Sequence, residues 1–216
     1  MIDRHHAGRE GGFTLAELAI VVTIIGIMLT AVLKGQSILR NAEVDSVIGT
    51  YRDISTAMRT FKERYQYFPG DFPVNAARPE ITSVRAACLA GGTNGGNGNG
   101  RIEATLTLNE SVCVPEHLIR AGFLGGDPAV PLATSFGKVQ VVRLADSATH
   151  TARSASSLAT FPASVIHVVE LFQLPCDVVK AIDVKLDDGN INTGRIMASV
   201  STCTSGTVAA IAISLQ

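Results

Sequence analysis

The chain has 216 residues with 18 basic and 19 acidic side chains, a formal balance of −1 at pH 7, so net charge gives no reason to expect nucleic acid or an anionic membrane surface as a partner. Only 17% of the residues are charged and the mean hydropathy is +0.28, more apolar than an ordinary cytosolic domain. The length accommodates one domain with an added segment and excludes two full domains.

The first twelve residues, MIDRHHAGREGG, are short and polar. From Phe13 to Leu33 the sequence FTLAELAIVVTIIGIMLTAVL holds 21 residues with one ionisable side chain, Glu17, enough at ~1.5 Å per residue to cross a hydrocarbon layer of roughly 30 Å. A cleaved secretory signal has a shorter apolar core of ~7 to 15 residues followed by a small-residue cleavage site; this block is longer and runs on into a polar helix, so it is retained. Glu17 is the anomaly, because a carboxylate in lipid costs a few kcal/mol unless it finds a partner or lies near the interface. It sits four residues past Phe13. If the chain is cut between Gly12 and Phe13, the new α-amino group is cationic near neutral pH, and Glu17 can neutralise it or the amine of a neighbouring subunit.

The run GG-FTLAELAIVVTIIGI resembles the class III signal of type IV prepilins and type II secretion pseudopilins. By that resemblance Gly12 precedes the cut, Phe13 becomes the N-methylated terminus, and Glu17 registers one subunit against the next. The implied division is a leader at 1–12, a transmembrane helix at 13–33, an amphipathic continuation at 34–67 and a globular head at 68–216. The chain reads AVLKGQ where the apolar block ends and has no proline before Pro69, which leans toward a minor or pseudopilin-like member of the group.

From Gln36 to Tyr65, Ile38, Leu39, Ala42, Val47, Ile48, Tyr51, Ile54, Met58, Phe61 and Tyr65 recur mainly at steps of three and four among charged residues, the pattern of an amphipathic helix. Gly49 is its weakest interior point. The aromatic side chains from Tyr51 to Phe72 read as core rather than as a stacking stripe for bases. Pro69, Gly70 and Pro73 stop the helix. The run GGTNGGNGNG at 91–100 is too rich in glycine and asparagine for regular structure and lacks the GKS or GKT of a phosphate-binding loop. Cys88 and Cys113 flank it and read as a disulfide closing the excursion.

Beyond it, RIEATLTLN alternates as a strand, PEHLIRAGFL reads as a short helix with Pro115 in its first turn, and FGKVQVVRLA reads as a strand. Residues 147–157 are rich in Ser, Ala and Thr and read as a surface loop, and ASVIHVVELF reads as a strand. LPCDVVKAIDVKLDDG reads as a helix entered at Pro175 and stopped at Gly189, and SGTVAAIAIS as a last core strand. Cys176 and Cys203 bracket that C-terminal stretch. None of the four cysteines has the CxxC spacing of a zinc site, so two disulfides in an oxidising compartment are expected, although four cysteines allow three connectivities.

Asp187, Asp188, Asn190 and Asn192 gather oxygen donors around Gly189, but their spacing departs from the DxDxDG calcium loop, and a helix C-terminal turn is the expectation, with no metal and no cofactor. His117, His150 and His167 have no nucleophile motif beside them, and His5 and His6 fall in the leader, so no enzymatic activity is expected. VLKGQSILRNAEV, FKERYQYFPGDFP, NGNGRIE, EHLIRAGFL and KAIDVKLDDGNINTGRI further resemble segments of bacterial pilin-like proteins.

The resemblance implies an α+β pilin fold, a long helix laid on an antiparallel sheet with disulfide-tied loops. It implies a structural subunit of a type IV pilus or type II secretion pseudopilus, or alternatively a tip or minor pilin that binds a ligand in adhesion or DNA uptake. The implied partners are the prepilin peptidase, other pilin subunits, an inner-membrane assembly platform and lipid. The implied location is the inner membrane, single-pass with the C-terminal domain in the periplasm, then a periplasmic or extracellular filament.

Overall fold

The computed structural model describes residues 12–74, 81 and 83–215; the leader expected at 1–12 lies outside these except for Gly12. The chain divides into two compact units, Met1–Ala42 and Glu43–Gln216. In the first, helix α1 begins at Leu15; it continues through Tyr65 as one 51-residue helix. By length and composition it is able to cross a membrane. Its apolar side chains from Leu15 to Leu39 are exposed, Ile24 at 47% being among the least so. Two hydroxyls in this stretch bond to the helix's own carbonyls, Thr23 to Ile20 and Thr30 to Gly26, which keeps them satisfied where no water is at hand. Ile38 and Leu39, expected on the buried face, are 68% and 67% exposed.

In the second unit, burial on α1 starts at Val44 and continues through Val47, Ile48, Tyr51, Ile54, Met58 and Phe61, steps of three and four that make one apolar stripe. The stripe joins a single core with Val169, Leu171, Ile211 and Ile213. Those residues belong to a four-stranded sheet of β1 (Val139–Arg143), β2 (His167–Pro175), β3 (Ile196–Ala198) and β4 (Thr207–Ser214), ordered β1-β2-β4-β3 and antiparallel throughout. Alternation along the strands sends Val142, Val168, Met197 and Ala212 to the other face, where they pack with Leu144 and Phe161. This is an α+β pilin-like fold.

Helix α2 (Val114–Arg120) has proline in its first turn, and α4 (Cys176–Leu186) starts directly after Pro175; both helices and strands β1 and β4 lie where the sequence pattern placed them, and β2 is the strand that its β-branched residues favoured where the pattern alone allowed strand or helix. The disulfides join Cys88 to Cys113 and Cys176 to Cys203. RIEATLTLN forms no strand: Thr105 and Leu108 close a tight turn with a 2.8 Å backbone bond, leaving one isolated bridge between Ala104 and Asn109 and Leu106 fully exposed.

Residues 147–157 are also not a loop. They form α3 (Ala148–Ala155), capped by Ser147, whose hydroxyl accepts from the His150 amide at 3.0 Å. Its N-terminal amides are further satisfied by the buried Glu170 of β2, which accepts from Thr149 N at 2.8 Å and Ala148 N at 3.2 Å, and from the Ser147 hydroxyl at 2.8 Å. A carboxylate at a helix N-terminus meets both the unpaired amides and the positive end of the dipole. From its C-terminal half the buried Arg153 donates 2.7 Å to the Ala198 carbonyl of β3. The short strand β3 was not anticipated in the sequence.

Phe61 is fully buried and its ring centroid lies 4.6 Å from Tyr65, 5.7 Å from Phe72 and 6.2 Å from Phe123. Phe61→Ala is expected to cost about 3–5 kcal/mol through lost transfer energy and a cavity, read as a lower urea midpoint at an unchanged slope.

Candidate functional site

The entry to α1 is built by residues 12–17. Gly12 and Phe13 precede the helix in irregular backbone, Phe13 88% exposed. Thr14 then caps the helix: its hydroxyl oxygen accepts from Glu17 N at 3.2 Å, while Glu17 Oε2 accepts from Thr14 N and from the Thr14 hydroxyl, each at 2.8 Å. This is a reciprocal capping box, T-x-x-E, which satisfies amide donors that the helix itself leaves free. Its signature stands in the sequence, yet the cost of Glu17 in lipid masked its local role. A carboxylate in the first turn of the apolar helix is thus held by its own cap.

The model for the prokaryotic N-terminal methylation motif matches residues 8–33. The chain carries this class III prepilin signal. The match covers the stretch that contains Gly12, Phe13, Thr14 and Glu17, and it supports a type IV pilin-like precursor. No curated protein and no solved structure matches the chain.

The remaining candidates fall into structural roles. The Gly/Asn run wraps around Asp71, fully buried, whose Oδ1 accepts from Gly98 N at 2.7 Å and Asn99 N at 3.0 Å and whose Oδ2 accepts from Gly100 N at 2.8 Å. Gly98 and Gly100, at φ +75° and +82°, supply the left-handed backbone that aims consecutive amides at one point. An amide concavity of the kind that cradles phosphate is therefore filled by the protein's own carboxylate. Glu110 does the same nearby, accepting from Asn97 N and Glu103 N at 3.1 and 2.9 Å.

His117 and His167 are buried and each accepts a backbone bond, His117 Nδ1 from Gly70 N at 2.9 Å and His167 Nε2 from Ile102 N at 3.0 Å. Both rings must be neutral at the accepting nitrogen; they pin loops to the core. His150 lies on α3. These three are not brought together, and His5 and His6 lie outside the described residues. Asp187 and Asp188 are joined by Asp183 of α4, which the sequence reading missed: their carboxylate oxygens lie within 4.8 Å of one another. The available signal was the closeness of Asp183 and Asp187 in sequence, four residues apart, although α4 ends at Leu186 and Asp187 follows it in non-helical backbone.

Burial pushes His117 and His167 down to about 4. Between about pH 4 and the unfolded value near 6.5 the unfolded chain binds a proton on each ring that the folded chain does not, so these groups make stability fall as pH drops through that window. Glu110 acts oppositely: burial, offset in part by its two amide donors, raises it to about 7, and its contribution grows as pH falls toward about 4.5. Ring resonances of His117 and His167 are expected to stay those of neutral imidazole down to pH 5 in NMR titration. At the helix entry, Thr14→Ala is expected to weaken the first turn by about 0.5–2 kcal/mol, read as faster hydrogen exchange of the amides of residues 14–17.

Proposed function

We propose that this chain is a structural subunit of a type IV pilus or type II secretion pseudopilus, processed by a prepilin peptidase and assembled through its N-terminal helix. The observation that carries the reading is the methylation motif at residues 8–33 running directly into an exposed apolar helix that has one acidic residue, Glu17, in its first turn.

In this reading the precursor inserts with its leader on the cytoplasmic side and its body outside. The peptidase cuts after Gly12 and methylates the Phe13 amine. The cut leaves a cation four residues from Glu17, close to the Thr14 cap, where before there was an amide. During assembly apolar helices leave lipid and pack against like helices, so hydrophobic burial changes little and polar contacts set the register. The Glu17 carboxylate exchanges its bonds to Thr14 for the amine of a neighbouring subunit, and the cost of a charge in an apolar bundle makes every other register unfavourable. An inner-membrane platform and the other pilin subunits are the partners that this sequence of events requires. Two disulfides in the body accord with folding in an oxidising periplasm.

Intact mass and N-terminal sequencing of the protein from membranes, with and without the peptidase, test the pathway. A peptidase-dependent start at N-methylated Phe13 is expected; a chain that begins at Met1 or Ile2 in both strains overturns the proposal. Glu17→Ala is expected to be cleaved normally yet to fall at least tenfold in sheared filament fractions.

A further inference from the structure

The Gly/Asn run carries a chemical hazard that the assembly reading does not use. It contains three Asn-Gly pairs, Asn94–Gly95, Asn97–Gly98 and Asn99–Gly100. Asparagine is among the thermolabile side chains, because the backbone nitrogen of the next residue attacks its Cγ, a five-membered succinimide closes and ammonia leaves. A following glycine favours the reaction, since no Cβ obstructs the approach and the backbone is free to take the angles that closure needs. Water then opens the ring at either carbonyl. The product is aspartate or, with the chain rerouted through the side chain, isoaspartate.

Two of the three pairs have every participant tied down. The attacking nitrogens are those of Gly98 and Gly100. Gly98 N donates to Asp71 Oδ1 at 2.7 Å and to the Asp71 carbonyl at 3.0 Å, and Gly100 N donates to Asp71 Oδ2 at 2.8 Å. The side chains under attack are exposed yet held as well. Asn97 Oδ1 accepts from Asn99 N and Asn99 Oδ1 from Arg101 N, each at 2.9 Å, while both Nδ2 groups donate to Glu103 Oε2, at 3.1 and 3.2 Å. An amide that donates to a carboxylate must give up a charge-assisted bond before it sheds its proton, and ring closure breaks the bonds of the side chain too. Asn94–Gly95 differs: Gly95 N donates to the Gly92 carbonyl at 3.1 Å rather than to Asp71, and Gly95 is buried against Leu89.

Charge makes the step one-way. Glu103 opposes the ionisation of Asp71, and both oppose that of Glu110. Deamidation at Asn97 or Asn99 replaces a donor to Glu103 with another carboxylate beside these three, so a loop that has opened and reacted does not close again on the same bonds. We propose that Asn97 and Asn99 form a latent deamidation site, silent while Asp71 holds the amides of Gly98 and Gly100, which turns opening of the Gly/Asn loop into a permanent covalent mark. The reaction needs only water, and its rate follows the population of the opened loop. The inference is independent of processing at Gly12.

The test is incubation of the full chain in detergent micelles at mildly alkaline pH, followed by peptide mapping with mass spectrometry that separates aspartate from isoaspartate. The same chain unfolded in guanidinium with its disulfides intact is the reference. Deamidation at Asn97 and Asn99 is expected to be at least tenfold slower in the folded chain than in the unfolded one, with isoaspartate among the products of both. Asp71→Asn, which turns an acceptor for the Gly98 and Gly100 amides into a donor, is expected to raise the folded-state rate at Asn97 and Asn99 at least tenfold and to leave Asn94 unchanged. Glu103→Gln, a milder change outside the core, is expected to raise it several-fold at the same two positions. Equal rates in the folded and unfolded wild type overturn the proposal, as does a rise of the same size at all three asparagines in Asp71→Asn. Aspartate without isoaspartate overturns it too, since direct hydrolysis does not pass through the Gly98 or Gly100 nitrogen.

Discussion

Helix α1 has to satisfy two media along one unbroken run of backbone bonds. From Leu15 to Leu39 its apolar side chains are exposed, a surface stable only in lipid or against other apolar helices; from Val44 onward a narrow apolar stripe belongs to a protein core. The backbone geometry is the same in both halves, so the division is made entirely by side chains. The all-round apolar surface of the first half gives way to a one-sided stripe in the second. The sheet depends on that stripe, because Val169, Leu171, Ile211 and Ile213 are buried in the cluster that it forms.

Buried acids perform a second kind of work in the body. Asp71 gathers the amides of the Gly/Asn run, Glu110 those of Asn97 and Glu103, and Glu170 those of the α3 N-terminus. Glu116 holds Arg85 at 2.6 Å and Arg120 at 3.1 Å. Segments with few apolar residues are thereby ordered by charge-assisted bonds to their backbone rather than by burial of their side chains. At Asp71 and Glu110 the converging donors offset only part of the desolvation, which still raises both carboxyls. Asp183 stands apart with only a small offset from the Gly189 amide.

This division explains what the sequence could reveal. α1, α2, α4, β1, β2 and β4 announce themselves through apolar period and proline placement, because their folding is driven by the burial that the pattern records. The entry motif was equally legible, since Gly12, Phe13 and Glu17 are adjacent in sequence. α3 was not: its inward positions are Thr149 and Arg153, polar residues whose partners, Glu170 and the Ala198 carbonyl, lie more than twenty residues away. The alternation in RIEATLTLN misled because no neighbouring strand lies alongside it to make the ladder. Asp183 went unremarked among the apolar positions of its helix, because its burial depends on how α4 packs in the fold.

The order of strands in the sheet has a bearing on synthesis. β4 lies between β2 and β3, although it follows both in the chain, so β3 has no ladder and one edge of β2 stays open until residues 207–214 arrive. The β2–β4 pairing joins segments far apart in sequence, the kind of contact that closes late in folding. A polypeptide halted on the ribosome before that point would present two unpaired edges and an uncovered core, conspicuous to proteases. Completion of the sheet thereby acts as a check that the whole body has been made before it becomes durable.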